Sequence, residues 1–193
     1  MQDLHYQIIW KNCYSMKFEE KTLNSQTVYD GKIIKVLKDD VEISDGHKSF
    51  REVVRHSGGV VILAIKPSEK GKSVLFVKQF RYPMKEVLLE LPAGKLEYGE
   101  DPFEAGKREL EEETGYCANK WTDLGYVYTS PGYSDEKLYL YKAEDLYFTK
   151  SHPDEGEILQ ALEIDIDDAI KMINNGEIND AKTLCAFLKG IGV

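Results

Sequence analysis

Three glutamates near the middle of the 193-residue chain, Glu109, Glu112 and Glu113, are spaced to share one face of a helix. At 100° per residue, Glu112 lies about 60° to one side of Glu109 and Glu113 about 40° to the other. Like charges at this spacing repel by about a few tenths of a kcal/mol. A divalent cation such as Mg²⁺ prefers carboxylate oxygens and often bridges to phosphates, so it would remove that repulsion. The triplet alone also fits an exposed acidic helix.

The acidity of the chain is concentrated around these residues. Of the net charge of −9, residues 94–116 carry −5 and residues 144–168 carry −8, which leaves +4 on the other 145 residues. The negative balance argues against binding to nucleic-acid backbones, because that binding depends on lysine and arginine. It is compatible with a small phosphorylated substrate held through metal ions.

The helix that carries the glutamates has clear ends. Asp101 suits an N-cap, Pro102 suits the first helical position, and Gly115 suits the left-handed residue after the last turn. Runs rich in Val, Ile and Leu predict strands at 27–38, 40–44, 48–55, 58–66, 73–80, 87–91, 121–128, 137–142 and 160–166. Two more helices are predicted at 167–175 and 180–188. Strands, one helix, more strands and then helices predict an α+β fold with a mixed sheet.

Composition limits the class of protein further. Apolar residues make up 42% of the chain and charged residues 31%, which is typical of a globular domain. The sequence predicts neither a membrane span nor a secretory leader. The three cysteines, Cys13, Cys117 and Cys185, are too few and too scattered for a disulfide framework or a zinc site. They favour a reducing, cytoplasmic location.

The sequence around the glutamates resembles the signature of the Nudix hydrolase family, G-x5-E-x7-R-E-U-x-E-E-x-G-U, in which U is a bulky apolar residue. Gly94, Glu100 and Arg108 stand at the required spacing before the glutamates, and Gly115 follows them. Eight of the nine specified positions match, and the departure is Tyr116 at the last one. A chance match of this length is improbable, so the exposed acidic helix becomes the weaker interpretation.

The resemblance implies a fold and a metal site. The fold is an α/β/α sandwich with a mixed sheet over about residues 25–190, in which the signature forms a loop–helix–loop. The implied ligands of two to three Mg²⁺ or Mn²⁺ ions are the three glutamates and the backbone carbonyl of Ala93. Gly94, Glu100, Arg108 and Gly115 are implied to be mainly structural, with Arg108 orienting the glutamates. The implied reaction is metal-assisted hydrolysis of a nucleoside diphosphate linked to another group.

Three further features are similar to the ADP-ribose pyrophosphatase branch of the family. Pro131 lies fifteen residues after Tyr116, residues 79–83 lead into residues 90–94, and residues 51–56 precede a Gly-Gly-Val strand. This branch implies hydrolysis of ADP-ribose to AMP and ribose 5-phosphate. It also implies a set of substrate contacts: phosphate or ribose contacts from Arg51, Arg55 and Arg81, and terminal-ribose contacts from Ser134 and Glu136.

Two roles within the site stay open. The general base is expected in the acidic loop at 152–157, with Glu155 as the first candidate and Glu157 as the second, while Glu112 is a rival. Relatives often stack adenine on an aromatic residue where this chain has Ile34. Tyr29 is the candidate substitute. The missing aromatic keeps hydrolysis of other nucleotide sugars, such as GDP-mannose, as the alternative. A catalytically inactive ligand-binding regulator is the least favoured reading, because every signature glutamate is present.

The resemblance also suggests how the chain is organised. Residues 1–25 are expected to form an extension of uncertain order, and residues 58–193 the hydrolase domain. Residues 26–57 would form N-terminal strands that serve dimerisation and substrate contact. Members of the branch are usually homodimers that exchange these strands, so we expect a homodimer with a small-molecule substrate and neither a nucleic-acid nor a membrane partner.

Overall fold

The structure is a computed structural model that describes residues 17–150 and 158–192. The candidate bases Glu155 and Glu157 lie outside the described residues. The described strands are β1 Glu20–Asp30, β2 Lys35–Ile43, β3 Lys48–Arg55, β4 Gly59–Ser68, β5 Gly71–Arg81, β6 Glu86–Glu90, β7 Ala93–Lys95, β8 Tyr116–Tyr128, β9 Lys137–Phe148 and β10 Leu159–Asp165. The described helices are α1 Pro102–Thr114, α2 Ile166–Asn174 and α3 Ala181–Gly190. The predicted α+β class is confirmed.

The chain divides into two compact units between Arg55 and His56. The first unit holds an antiparallel sheet in the order β1-β2-β3. The predicted boundary between strands 27–38 and 40–44 is wrong, because β2 runs through Asp39 and Asp40 and the turn lies between Asp30 and Lys35. Asp39 is tolerated inside the strand because its carboxylate accepts a hydrogen bond from Ser25 Oγ on β1 at 2.5 Å.

The second unit is built on a mixed sheet in the order β10-β5-β4-β9-β8, with β6 on β5 and β7 on β4. Strand β4 lies at its centre, antiparallel to β5 and parallel to β9. Its residues from Gly59 to Ile65 are all buried, which explains the unbroken apolar run in the sequence. The implied α/β/α sandwich is confirmed.

Side chains of β4 alternate between the two faces of the sheet. Val61, Leu63 and Ile65 pack in the core that includes Ala186 and Phe187 of α3. On the other face, Val60, Ile62 and Ala64 pack in the core that includes Ala105 and Leu110 of α1. The helix with the glutamates is therefore anchored to the most buried strand of the unit.

Helix α1 begins and ends as the sequence predicts. The Asp101 side chain accepts hydrogen bonds from the backbone N–H groups of Phe103 and Glu104, and Gly115 adopts φ 75°. Strand β8 then starts at Tyr116, five residues before the predicted start, because it pairs with β9 directly after the turn. No helix in the part of the chain that the structure describes is long and apolar enough to cross a membrane.

Candidate active site

The short strand β7 places the backbone that precedes α1 next to the glutamates of that helix. The sequence did not predict it as a strand, but Ala93 pairs with Val61 and Gly94 with Val60 on β4. The backbone N–H of Ala93 donates to Glu113 Oε2 at 3.0 Å. Because β7 and α1 both contact β4, this hydrogen bond joins two elements that the buried strand already holds in place.

Gly94 gives the carboxylate of Glu109 room to approach the backbone. A Cβ at position 94 would lie 1.9 Å from the carboxyl carbon of Glu109, so a side chain there would force this carboxylate to move. Gly59 on β4 is constrained in the same region, because its Cβ would lie 2.6 Å from the carbonyl oxygen of Gly94. The signature glycine is therefore a packing requirement of the glutamate cluster.

Arg108 holds the acidic side chains of the signature together. Its Nε and Nη2 donate to the two oxygens of Glu100 at 3.0 and 3.1 Å. Its Nη1 donates to Glu109 Oε1 and to Glu112 Oε2, both at 2.8 Å. These contacts, with Glu100 first, raise the pKa of the Arg108 guanidinium, and the hydrogen bonds from Arg108 lower the pKa of Glu100. The guanidinium thus supplies a permanent counter-charge to three carboxylates.

The side chains are suited to a divalent cation by their chemistry. The three carboxylates and the predicted Ala93 carbonyl on the adjoining strand would together supply an all-oxygen donor set of the kind that Mg²⁺ and Mn²⁺ prefer. Across residues 17–150 and 158–192, no three acidic, histidine or cysteine side chains are arranged to hold an ion as they stand. Arg108 engages Glu109 and Glu112, and the Ala93 N–H engages Glu113.

Arg81 on β5, which is predicted to contact phosphate or ribose, is fixed by a neighbouring carboxylate. Arg81 donates from Nε and Nη2 to the two oxygens of Glu90, both at 2.7 Å. Glu90 ends β6, just before the Leu91-Pro92-Ala93 segment. The structure therefore places Arg81 next to the backbone that leads into the glutamate cluster.

The loop between β8 and β9 contains Pro131 and the two residues predicted to contact the terminal ribose. Ser134 Oγ accepts from the backbone N–H of Glu136 at 3.1 Å. Glu136 Oε2 accepts from Thr129 Oγ1 at 2.6 Å, and its Oε1 lies 3.5 Å from Nδ1 of His56. Both candidates are thus held within their own loop, and Glu136 also lies close to His56, just before β4.

The remaining predicted contacts belong to the first unit. Arg51 on β3 donates to the Glu20 carboxylate, to Ser49 Oγ and to the backbone carbonyl of Phe50. Arg55 ends β3, and Tyr29 is exposed on β1. Their role toward a substrate stays a prediction.

Sequence reasoning missed a group of charged residues that lies beside Arg81. Glu90 is buried between Arg81 and Lys182, and Lys182 also lies 3.0 Å from Asp180. Thr183 is buried and accepts a hydrogen bond from the backbone N–H of Leu91 at 3.0 Å. The one sequence signal is Glu90 itself, an acidic residue inside an otherwise apolar run. Lys182 and Asp180 carry none, because 92 residues separate Lys182 from its partner.

This arrangement of a signature helix on a mixed sheet defines a class of pyrophosphohydrolase, and comparison with known proteins agrees. Residues 56–187 match the NUDIX domain, and residues 20–54 match the nucleoside diphosphate sugar hydrolase N-terminal domain. The chain belongs to the Nudix family. Divalent-metal dependence is a general property of these hydrolases.

Individual relatives cover most of the chain. An ADP-ribose pyrophosphatase of Bacillus subtilis (strain 168) is 44% identical over 88% of this chain and 91% of its own length. A methanol dehydrogenase activator of Bacillus methanolicus is 41% identical over the same shares. A GDP-mannose pyrophosphatase of Yersinia pestis (strain Pestoides F) is 33% identical over 71% of this chain and 72% of its own. A solved structure of an ADP compounds hydrolase shares the fold, with a TM-score of 0.77 at 24% identity over 92% of this chain and 98% of that one.

Proposed function

We propose that this protein hydrolyses the pyrophosphate linkage of nucleoside diphosphate sugars, with ADP-ribose as the leading substrate and AMP and ribose 5-phosphate as its products. The observation that carries the proposal is the glutamate cluster of the signature. Glu113 accepts from the Ala93 N–H, Glu109 lies against Gly94, and Glu112 shares Arg108 with Glu109. The similarity to the Bacillus subtilis ADP-ribose pyrophosphatase supports the choice of substrate.

The proposed metal ligands are the carboxylates of Glu109, Glu112 and Glu113 and the backbone carbonyl of Ala93, for two to three Mg²⁺ or Mn²⁺ ions. When bound, such cations neutralise the pyrophosphate charge and activate a water molecule. The protein's own residues prepare the site. Arg108 orients two of the carboxylates, and the Ala93 N–H fixes the third.

Six residues outside the proposed metal ligands are proposed as substrate contacts. Arg81, whose side chain is 36% exposed, is proposed to contact a phosphate. The resemblance supports Arg51 and Arg55 as further phosphate or ribose contacts and Tyr29 as the residue that stacks on the base. It likewise supports Ser134 and Glu136, near Pro131, as contacts to the terminal sugar.

Three carboxylates compete for the role of general base. Glu155 and Glu157 are proposed from the acidic loop, and Glu112 from the helix. A base must reach the attacking water. Glu112 is also a proposed metal ligand and accepts from Arg108 at 2.8 Å, so the loop glutamates are the preferred candidates. We therefore expect Glu155→Gln to lower kcat by about 10²-fold or more, the usual contribution of a general base, with metal affinity unchanged. A larger loss in Glu157→Gln, or a loss in Glu112→Gln with unchanged metal affinity, would reassign the base.

The alternative substrate is a nucleotide sugar with another base, such as GDP-mannose. Ile34, which stands where relatives have an aromatic residue, removes one reason to prefer adenine. The Yersinia pestis relative named as a GDP-mannose pyrophosphatase supports this alternative. The Bacillus methanolicus relative is named as an activator of methanol dehydrogenase. Its name supports a third candidate function, in which the protein is a regulator.

A substrate panel separates these functions. The purified protein is incubated with Mg²⁺ and with ADP-ribose, GDP-mannose or other nucleoside diphosphate sugars, and phosphate is measured after a phosphatase has acted on the products. We expect kcat/KM to be highest for ADP-ribose. Equal values for GDP-mannose would reject the specific substrate, and absence of turnover on the whole panel would reject the hydrolase and favour the regulator.

We further propose a cytoplasmic homodimer that exchanges its N-terminal strands. The first unit supports the dimer, because β1 is exposed along its whole length, with Leu23, Val28 and Tyr29 among its exposed side chains. In that unit, from residue 17 onward, Asp39 and Val41 are the buried residues, too few for a core of its own. Sedimentation of the intact protein tests the dimer, and a monomeric mass at micromolar concentration would refute it.

A further inference from the structure

A network of four charged side chains joins strand β5, strand β6 and the start of helix α3. Its central member, Glu90, has a side chain that is 3% exposed and lies between Arg81 and Lys182. Lys182 in turn lies 3.0 Å from Asp180, the residue that caps α3. Two cations and two anions of this kind are stable in a protein interior only when each is paired, as here.

Glu90 is held in its ionised form. Burial disfavours the charged carboxylate, but hydrogen bonds and charges from Arg81 and Lys182 outweigh that cost and lower the pKa of Glu90. Glu90 therefore presents two charged oxygens to the guanidinium across the working pH range. Such a two-point contact fixes both the position and the plane of an arginine.

The contact with Glu90 uses the Nε–Nη2 edge of the Arg81 guanidinium and leaves the Nη1 edge unused. Nε and Nη2 donate to Glu90, whereas Nη1 has no partner among residues 17–150 and 158–192. We propose that Glu90 and Lys182 are positioning residues, which hold Arg81 so that its Nη1 edge receives an anionic oxygen of the substrate. This inference rests on the proposed function, because it assigns Arg81 a phosphate of the nucleoside diphosphate sugar.

The network is also connected to the glutamate cluster. Residue Glu90 is followed by Leu91, whose N–H donates to Thr183 of α3, and then by Ala93, whose N–H donates to Glu113. The hydrogen bonds that Arg81 donates to Glu90 are the main cause of the raised pKa of Arg81, and the charge of Glu113 contributes to it. The first turn of α3 thereby holds both the arginine and the backbone of the metal site.

A double-mutant cycle tests the positioning role. Glu90→Gln, Arg81→Ala and the double variant are compared with the wild type by KM, kcat and the free energy of unfolding. We expect Glu90→Gln to raise KM about tenfold while kcat changes by less than about threefold, because ground-state binding is lost. In the Arg81→Ala background the same substitution should change kcat/KM by less than about twofold, since coupled residues are not additive.

A second variant and a matched control keep the result interpretable. Lys182→Met leaves the Arg81–Glu90 pair intact, so we expect a smaller rise in KM than in Glu90→Gln. This rise should also disappear in the Arg81→Ala background. The Lys182→Met variant serves as the test if the Glu90→Gln protein does not fold. Glu163→Gln removes the charge of another carboxylate, which is more exposed than Glu90 and accepts from Lys66 at 2.9 Å and from Ser73 at 2.7 Å, away from Arg81. It should lower stability with KM unchanged.

The outcomes distinguish the two proposals. The positioning role is overturned if KM is unchanged in both Glu90→Gln and Lys182→Met. It is also overturned if their effects on kcat/KM multiply with the effect of Arg81→Ala. In either case, turnover by the wild type still supports the hydrolase. A wild type that turns over none of the nucleoside diphosphate sugars overturns the proposed function and, with it, the phosphate assigned to Arg81.

Discussion

Replacement of Glu113 by glutamine is expected to lower kcat by about 10³-fold or more, because metal assistance contributes several kcal/mol and each 1.36 kcal/mol is a factor of ten. The fold should persist. Glutamine has the size of glutamate, and its side-chain oxygen can still accept the hydrogen bond that Ala93 donates at 3.0 Å. What it lacks is the negative charge that the proposed cations require. The measurement is steady-state turnover of ADP-ribose at saturating Mg²⁺, with thermal unfolding on the same samples.

Glu104→Gln on the same helix is the matched control. Glu104 is exposed and pairs with Lys107 at 2.8 Å on the side away from the cluster. The same change of charge at that position should leave kcat within about twofold, as expected for a surface ion pair. A fully active Glu113→Gln variant would show that this carboxylate is not a metal ligand.

Replacement of Gly94 by alanine is expected to reduce activity by about 10²-fold, the loss that a displacement of roughly 1 Å produces in a catalytic group. A Cβ there would lie 1.9 Å from the carboxyl carbon of Glu109, so the carboxylate must move out of its place. That movement also breaks the hydrogen bond from Arg108 Nη1 to Glu109. The measurement combines kcat with the Mg²⁺ concentration that gives half-maximal activity, and we expect both to worsen.

Gly106→Ala is the glycine control within the same motif. Its Cβ would lie 3.4 Å from the nearest atom, on the ring of Tyr141, which is ordinary contact. Because glycine in a helix interior is disfavoured relative to alanine, this variant should gain about 0.5–1 kcal/mol in the free energy of unfolding. Its kcat should match the wild type. If Gly94→Ala retained wild-type kcat and metal dependence, the packing role assigned to Gly94 would be wrong.

The parts of the structure that the sequence predicts correctly are those determined by local rules. The ends of α1 follow from Asp101 and Gly115, whose side-chain and backbone preferences act within a few residues. The long apolar run of β4 follows from burial on both faces of the sheet. The signature itself is local, so its spacing alone places the glutamates on one face of the helix.

The parts that the sequence does not predict depend on distant partners. Asp39 looks like a turn residue until Ser25 on the neighbouring strand bonds its carboxylate. Strand β7 is three residues long and exists because β4 lies beside it. The contact of Lys182 with Glu90 joins positions that are adjacent only in the folded chain. Burial and pairing of this kind are tertiary properties, and residue type alone does not identify the partners.

The counter-charge that Arg108 supplies bears on how the protein acquires its metal. In small metal-dependent domains the binding of the ion drives folding, so a chelator unfolds them. Here the Arg108 guanidinium already pairs with Glu100, Glu109 and Glu112, and the helix packs through Ala105 and Leu110. We therefore expect the chain to fold first and to load its cations afterwards. Scarcity of metal in the cell would then abolish the activity while the protein stays folded.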